Sequence, residues 1–324
     1  MLKIGSLKLA SPLILAPLSG ISDLPFRLIN RLFGCELAFT EMISASSLVH
    51  QSRTTGRMLA TLPADRPLGI QLLGNDPDVL RKAVDIVASD EFDLIDLNAA
   101  CPVPKVTKKG EGAALLQHPR RLRDALKALV AHARAPVTVK IRSGWDETSV
   151  NAADVALHAQ DAGISALFIH GRTKAQGYSG AVDYGIIRKV KEALSIPVIA
   201  SGDILSPHLI RRMFDETGCD GVTIARGALG NPWIFRQAGH FPENGGIPEP
   251  PAVSEVVLIM KRHLDMVYSF YGERAGTILF RKFFVWYGRG IPHIKPLREQ
   301  VFRAQTRDEM MRIIDALSAP PDSL

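Results

Sequence analysis

From residue 13 to residue 224, short apolar runs alternate with longer stretches whose apolar residues recur at helical spacing. The runs are 13–16, 37–40, 68–72, 94–97, 137–141, 166–169, 198–200 and 221–224. They are nearly continuous in apolar character, as expected of parallel strands covered on both faces. Between them, residues 76–89 open on Asp-Pro-Asp, and residues 206–217 open on Ser-Pro and stop before Gly218. Both predict helices with proline in the first turn. Eight strands with interposed helices predict an α/β fold, a (β/α)8 barrel. A doubly wound open sheet is the rival, weakened because no G-x-G-x-x-G follows the first strand.

The pattern then changes. Residues 242–251 read PENGGIPEPP, a proline- and glycine-rich linker. From residue 252 the periodicity is helical only, over 252–271, 274–287, 295–303 and 307–318. The expected organisation is a TIM-barrel catalytic domain over 1–241, a linker over 242–251 and a small helical domain over 252–324.

Composition narrows the class. The 324 residues are 46% hydrophobic and 22% charged, ordinary for a soluble enzyme. No apolar run reaches the roughly 18–20 residues that span a bilayer, and the N-terminus lacks signal-peptide order. Cys35, Cys101 and Cys219 make neither a disulfide framework nor a CxxC metal pair. A cytoplasmic monomer with no metal and no membrane partner is the expectation. The net charge of +6 favours an anionic partner.

In a barrel, chemistry gathers at the C-terminal strand ends. Those ends offer Ala16-Pro17-Leu18, Thr40-Glu41, Gln71, Asn98 with Cys101, Lys140 with Arg142, His170-Gly171-Arg172, Ser201-Gly202-Asp203 and Ala225-Arg226-Gly227-Ala228. The glycine-bearing turns after the last two strands suit a phosphate, and Arg226 adds charge. Flavin mononucleotide (FMN) would satisfy both ends of the mouth, its phosphate at the last two loops and its reducible ring near Lys140 and Gln71. Each group has a plainer reading. Gly202 and Gly227 serve as turn glycines, Lys140 pairs with Glu41 or Asp96, His170 is structural, and Cys35 and Cys219 pack as small apolar residues. Their convergence on one end of the barrel favours a site.

Six ordered motifs carry a resemblance. They are LAPLSGISDLPFR (15–27), DLNAACPVPKVTKKGEGAALL (96–116), VKIRSGW (139–145), IHGRTKAQGYSGAVDY (169–184), PVIASGDI (197–204) and IARGALGNPWIF (224–235). Together they resemble the tRNA-dihydrouridine synthases, and more narrowly the bacterial B subgroup. The resemblance implies an FMN-bound barrel, a helical tRNA-binding domain and NADPH or NADH as electron donor. It implies reduction of a uridine in tRNA to 5,6-dihydrouridine, with D-loop position 17 expected from the subgroup. Carried over by position, Ala16, Pro17, Leu18, Gln71, Lys140 and His170 line the flavin. Ser201, Gly202, Asp203, Ala225 and Arg226 hold its phosphate end, Asn98 and Arg142 face the uracil, and Cys101 is the general acid. The family usually has methionine at Leu18, asparagine at Ser201 and glycine at Ala225 and Ala100. None of these departures removes a titrating group.

The chemistry agrees with that assignment. The C5–C6 bond of uracil is an electron-poor alkene, and its reduction needs a hydride at C6 and a proton at C5. A thiol with a pKa of about 8.5 is mostly protonated near neutrality and can donate. Metal ligation would need further ligands at close spacing. A uridine in folded RNA must be turned out of its stack, and a basic surface must hold the phosphates. Arg281, Lys282, Arg289, Lys295, Arg298, Arg303, Arg307 and Arg312 stand against Glu299, Asp308 and Glu309 in that stretch. Phe283, Phe284, Trp286 and Tyr287 interrupt it, mostly as core, with one exposed ring free to stack on a base. Lys105, Lys108 and Lys109 form a second cationic patch beside Cys101. Two rivals remain. An FMN barrel enzyme reducing a small pyrimidine has no need of the basic tail. A silent RNA-binding barrel has no need of Cys101 or Lys140.

Overall fold

The computed structural model describes every residue except 89–91, 240–248, 293 and 319–324. The chain forms two compact units, residues 1–23 with 35–225, and residues 24–34 with 226–324. Most of the expected linker, residues 242–248, lies outside the described residues.

In the first unit the strands are β1 (Leu13–Leu15), β2 (Leu37–Ser44), β3 (Leu68–Leu73) and β4 (Leu94–Ala99). They continue as β5 (Val137–Arg142), β6 (Ala166–His170), β7 (Val198–Ser201) and β8 (Gly221–Ile224). Each pairs in parallel with the next, and β8 pairs with β1 to close the barrel. This is the (β/α)8 architecture read from the sequence. β2 runs past its expected end, through a register shift between Phe39 and Met42. The two helices anticipated from their capping residues are Pro77–Val87 and Pro207–Thr217. Asp76 caps the first, and Gly218, at φ +66°, ends the second in the left-handed region.

A short antiparallel ribbon, Leu2–Ile4 with Leu7–Leu9, was not anticipated, because three-residue strands carry no readable period. Its Leu2, Ile4 and Leu9 pack in one cluster with Ile14, Leu37, Phe39, Leu94, Ala166, Phe168 and Ile199. The Phe39 and Phe168 rings meet edge to face at 5.6 Å. Residues two apart in a strand share a face. The faces that begin with Leu94, Ala166 and Ile199 therefore continue with Asp96 and Asn98, with His170, and with Ser201. The barrel changes from apolar to polar along its own strands, and the polar layer falls at the C-terminal ends.

The second unit is helical. Its helices are Leu24–Arg31, Trp233–Gly239, Val253–Tyr271, Glu273–Tyr287, Ile294–Arg303 and Arg307–Asp315. A capping box between Thr306 and Glu309 starts the last one. Phe283, Phe284 and Tyr287 are buried, the core role expected for most of that aromatic run. Phe26, from the early helix, stacks on Phe283 at 5.9 Å, and both flank the buried His263 ring. Among the described residues of this unit, the large exposed ring is Phe302, 57% accessible. Among the described residues, no helix is long and apolar enough to cross a membrane.

Candidate active site

The polar layer is a connected set of side chains. On β4, Asp96 is 1% exposed, and its two carboxylate oxygens accept from Thr138 Oγ1 at 2.7 Å and Gln71 Nε2 at 2.8 Å. Gln71 Oε1 accepts from Asn98 Nδ2 at 2.8 Å. Asn98 Oδ1 in turn accepts the backbone N–H groups of Ala100 at 3.0 Å and Cys101 at 2.8 Å. The strands β3, β4 and β5 bring these groups together because they are adjacent and in register, with Gln71 opposite Asp96 and Asp96 opposite Thr138.

Cys101 leaves β4 into a loop that folds back on it. The Ala113 N–H donates to the Cys101 carbonyl at 3.0 Å. Gly112, at φ +59°, permits this approach, since a Cβ there would lie 2.8 Å from the Cys101 oxygen. The thiol is half-buried, and burial pushes its pKa up, opposed by the Val103 N–H and the Arg142 charge. It is therefore a neutral thiol near neutrality. Lys105, Lys108 and Lys109 are all exposed on the same loop.

Arg142 is buried at the end of β5, and its hydrogen bonds go to backbone. Nε donates to the Ala100 carbonyl at 2.8 Å, and Nη1 to the carbonyls of Thr173 and Gly177, both at 2.9 Å. It thus ties the cysteine loop to the loop after β6. That loop presents Tyr178, 61% exposed, whose ring lies 5.7 Å from the Arg142 guanidinium and 6.4 Å from the His170 ring. Burial lowers the guanidinium pKa, offset in part by Tyr178 and Cys101.

Lys140 Nζ donates to Ser201 Oγ at 2.9 Å, and Ser201 Oγ donates to the Ile169 carbonyl at 3.2 Å. Of the two carboxylates considered for Lys140, Glu41 accepts the Gly20 N–H, and Asp96 acts through its charge. Burial pushes Lys140 down to about 8 despite the Asp96 charge. Burial pushes Asp96 up to about 6, against the hydrogen bonds of Thr138 and Gln71 and the Lys140 charge. Both groups are charged between those values.

His170 is buried at the end of β6. Gly202, at φ +125°, packs against Val182 and His170, and a Cβ would meet them at 2.9 and 3.0 Å. The Asp203 carboxylate is bound by the buried Arg172, whose Nη1 donates at 3.0 Å. Thr223 Oγ1, on the residue opposite Ser201, is buried with no hydrogen-bond partner. At the first strand, the Ala16 N–H donates to the Ile224 carbonyl at 2.9 Å. Pro17 and Leu18 follow half-buried, and the Leu18 N–H is held by Ser22 Oγ at 2.9 Å. Ala225 is half-buried, and Arg226, the next residue, is exposed. Sequence reasoning assigned no role to Thr138, Arg172 or Tyr178, and considered Asp96 only as an ion-pair partner. Their positions two residues from a named strand-end residue were the available signal for Asp96 and Thr138.

A closed parallel barrel whose mouth holds amides, a depressed lysine and a neutral thiol defines the class, a (β/α)8 enzyme. The same fold occurs in the old yellow enzyme homologue from Zymomonas mobilis, at TM-score 0.55 and 14% identity over 79% of this chain and 94% of that one. The sequence profile "Dihydrouridine synthase (Dus)" matches residues 14–319. The "Probable tRNA-dihydrouridine synthase 1" of Synechocystis sp. is 40% identical over 97% of this chain and 88% of its own length. The tRNA-dihydrouridine synthase B of Vibrio parahaemolyticus is 38% identical over 99% of this chain and 95% of its own. The chain belongs to the dihydrouridine synthase family. It is an oxidoreductase, since uridine and dihydrouridine differ by two hydrogens across C5–C6.

Proposed function

We propose that the chain reduces a D-loop uridine of tRNA, at position 17, to 5,6-dihydrouridine, with bound FMN, NADPH or NADH as reductant and Cys101 as general acid. The observation that carries this reading is the neutral Cys101 thiol on a loop pinned by Asn98, beside a cationic, amide-lined barrel mouth.

The donor set fits FMN. Lys140 supplies a cation for the electron-rich edge of the ring, and Gln71 keeps a second amide N–H beyond the one given to Asp96. Ala16, Pro17 and Leu18 supply apolar surface, and the unpartnered Thr223 hydroxyl suits a polar group at the inner face. His170, Ser201, Gly202, Asp203, Ala225 and Arg226 are assigned to the ring edge and the ribityl phosphate. When bound and reduced, FMN supplies the hydride for C6.

The chain's own groups do the rest. Asn98 has one amide N–H beyond its bond to Gln71, and Arg142 has Nη2 beyond its three backbone bonds. These two donors hold the uracil carbonyls and favour the charge that develops as hydride arrives. The Cys101 thiol gives its proton to C5, and the resulting thiolate is stabilised by the Arg142 charge. The helices from residue 252 onward hold the RNA by its phosphates, on a stretch rich in arginine and lysine. The names and extent of the relatives support tRNA over a small pyrimidine as substrate. A cytoplasmic enzyme follows from that substrate.

The test is direct. The purified protein should be yellow and release FMN. Its reduced form should be reoxidised anaerobically by unmodified tRNA and not by free uridine at the same concentration. Release of FAD, or equal reoxidation by free uridine, overturns the proposal. Mapping dihydrouridine in tRNA from cells with and without the protein fixes the position.

A further inference from the structure

Beneath Cys101 and Lys140 the barrel buries a carboxylate, that of Asp96. It is 1% exposed, in the middle of β4, and its hydrogen bonds go to Gln71 and Thr138. A buried carboxylate is costly unless it is bonded, and this one sits at the end of an ordered series of bonds.

The direction of that series is dictated by its first members. The N–H groups of Ala100 and Cys101 can only donate, so Asn98 must turn its Oδ1 toward them. Asn98 Nδ2 then faces Gln71 and must find an acceptor, which is Gln71 Oε1. Gln71 Nε2 is left facing β4 and must find an acceptor in turn, which is Asp96 Oδ2. Thr138 completes the carboxylate from the other side, donating to Oδ1. If the terminal group could not accept, the Gln71 amide would turn over and set Nε2 against Asn98 Nδ2. The Asn98 amide would then turn over too, and its NH2 would face two backbone N–H groups, donor against donor.

We propose that Asp96 is a positioning residue for the cysteine loop, acting as the terminal acceptor of a one-way hydrogen-bond chain that runs through Gln71 and Asn98 to the N–H of Cys101. The proposal rests on the reading of Cys101 as the acid, because loop position matters to catalysis only if the thiol acts. What is required of Asp96 is an acceptor at Oδ2, not a negative charge. Asp96→Asn satisfies that requirement, since its carbonyl oxygen accepts from Gln71 while its amide donates to Thr138, whose hydroxyl can reverse and accept. Asp96→Leu and Gln71→Met do not.

The experiment is amide hydrogen exchange on the full-length, flavin-loaded protein, following the Ala100 and Cys101 N–H groups, with the β5 amides of residues 137–141 as the control for global stability. Asp96→Asn should protect the two loop amides within twofold of the unsubstituted protein. Asp96→Leu and Gln71→Met should exchange them about tenfold faster, the equivalent of one lost hydrogen bond, with the β5 amides unchanged. The tRNA-driven reoxidation rate should follow the same order, with Asp96→Asn restoring what Asp96→Leu loses. If Asp96→Leu does not fold, the Gln71→Met comparison decides. Unchanged loop protection in Gln71→Met, or equal loss in Asp96→Asn and Asp96→Leu, overturns the proposal. Failure of the acid reading is seen separately. In that case Cys101→Ala reoxidises at the ordinary rate while the exchange pattern of the Asp96 and Gln71 variants stands.

Discussion

Lys140 Nζ and Ser201 Oγ are joined by a 2.9 Å hydrogen bond that links β5 to the end of β7 across β6. Ser201 can hold the ammonium in place because its own hydrogen goes to the Ile169 carbonyl, leaving its lone pairs toward Lys140. Ser201→Ala removes that acceptor without introducing bulk. We expect FMN affinity to fall by about 5–10-fold, the weight of one charge-assisted hydrogen bond, measured by fluorescence titration of the apoprotein. Ser201→Asn offers a carbonyl oxygen and should retain most of the affinity.

The Lys140 charge is pH-limited. Burial holds its pKa down at about 8, below the ordinary 10.5, and the Asp96 charge opposes that shift. Between those two values the unfolded chain binds a proton that the native protein does not. Native stability therefore rises as pH climbs through that window, once the buried ammonium has lost its charge. FMN retention should show the opposite trend and weaken above about pH 8. In Asp96→Asn, the neutral neighbour no longer supports the ammonium, so the alkaline limb should move to lower pH. A flavin-binding titration from pH 6 to pH 9.5 on both proteins checks this, and an unmoved limb would show that Asp96 does not sense Lys140.

Cys101 is predicted to act in one half-reaction only. Cys101→Ala should leave reduction of the flavin by NADPH unchanged. It should slow reoxidation by tRNA by roughly 10²–10⁴-fold, the usual weight of a general acid. Cys101→Ser should also be slow, because a hydroxyl is a far weaker acid than a thiol. Anaerobic stopped-flow absorbance resolves the two steps.

His263 makes the helical unit acid-sensitive. It is fully buried, with the Phe283 ring at 4.4 Å and Tyr287 OH at 3.2 Å from Nδ1. Burial drives its pKa from 6.5 down to about 3, helped by the Lys282 charge. Below pH 6.5 the unfolded chain takes up a proton that the native unit refuses, so stability falls with falling pH, by about 1.4 kcal/mol per unit. His263→Phe should remove this part of the slope. Urea midpoints at pH 7.5 and pH 5 should then lie closer together than in the unsubstituted protein.

Lys295 and Arg303 are exposed and Arg298 half-exposed on the helix that carries Phe302. Replacing all three by alanine should weaken tRNA binding and reduce the steepness of its salt dependence by about two to three charges. Filter binding between 50 and 200 mM salt measures both. Substitution is preferable to a C-terminal deletion, because Phe26 of the early helix Leu24–Arg31 stacks on Phe283. Deletion would strip that ring bare.

The sequence by itself determined the barrel and the polar residues that stand at its strand ends. Eight continuous apolar runs cannot be solvated, so they must become buried parallel strands. Reading off their ends then named Gln71, Asn98, Cys101, Lys140, Arg142, His170 and Ser201 with no structure in hand. The helices after residue 252 were equally legible from their period. Only the tertiary structure decided what those residues bind to. Lys140 goes to Ser201, two strands away, and Arg142 to three backbone carbonyls. Asp96 is the end of a chain that reaches Cys101 through β3. Such bonds depend on which strands are neighbours and on their register, and a linear pattern carries neither. The same holds for Leu24–Arg31, which follows the first barrel strand in sequence and yet joins the helical unit, because its Phe26 completes the aromatic core around His263.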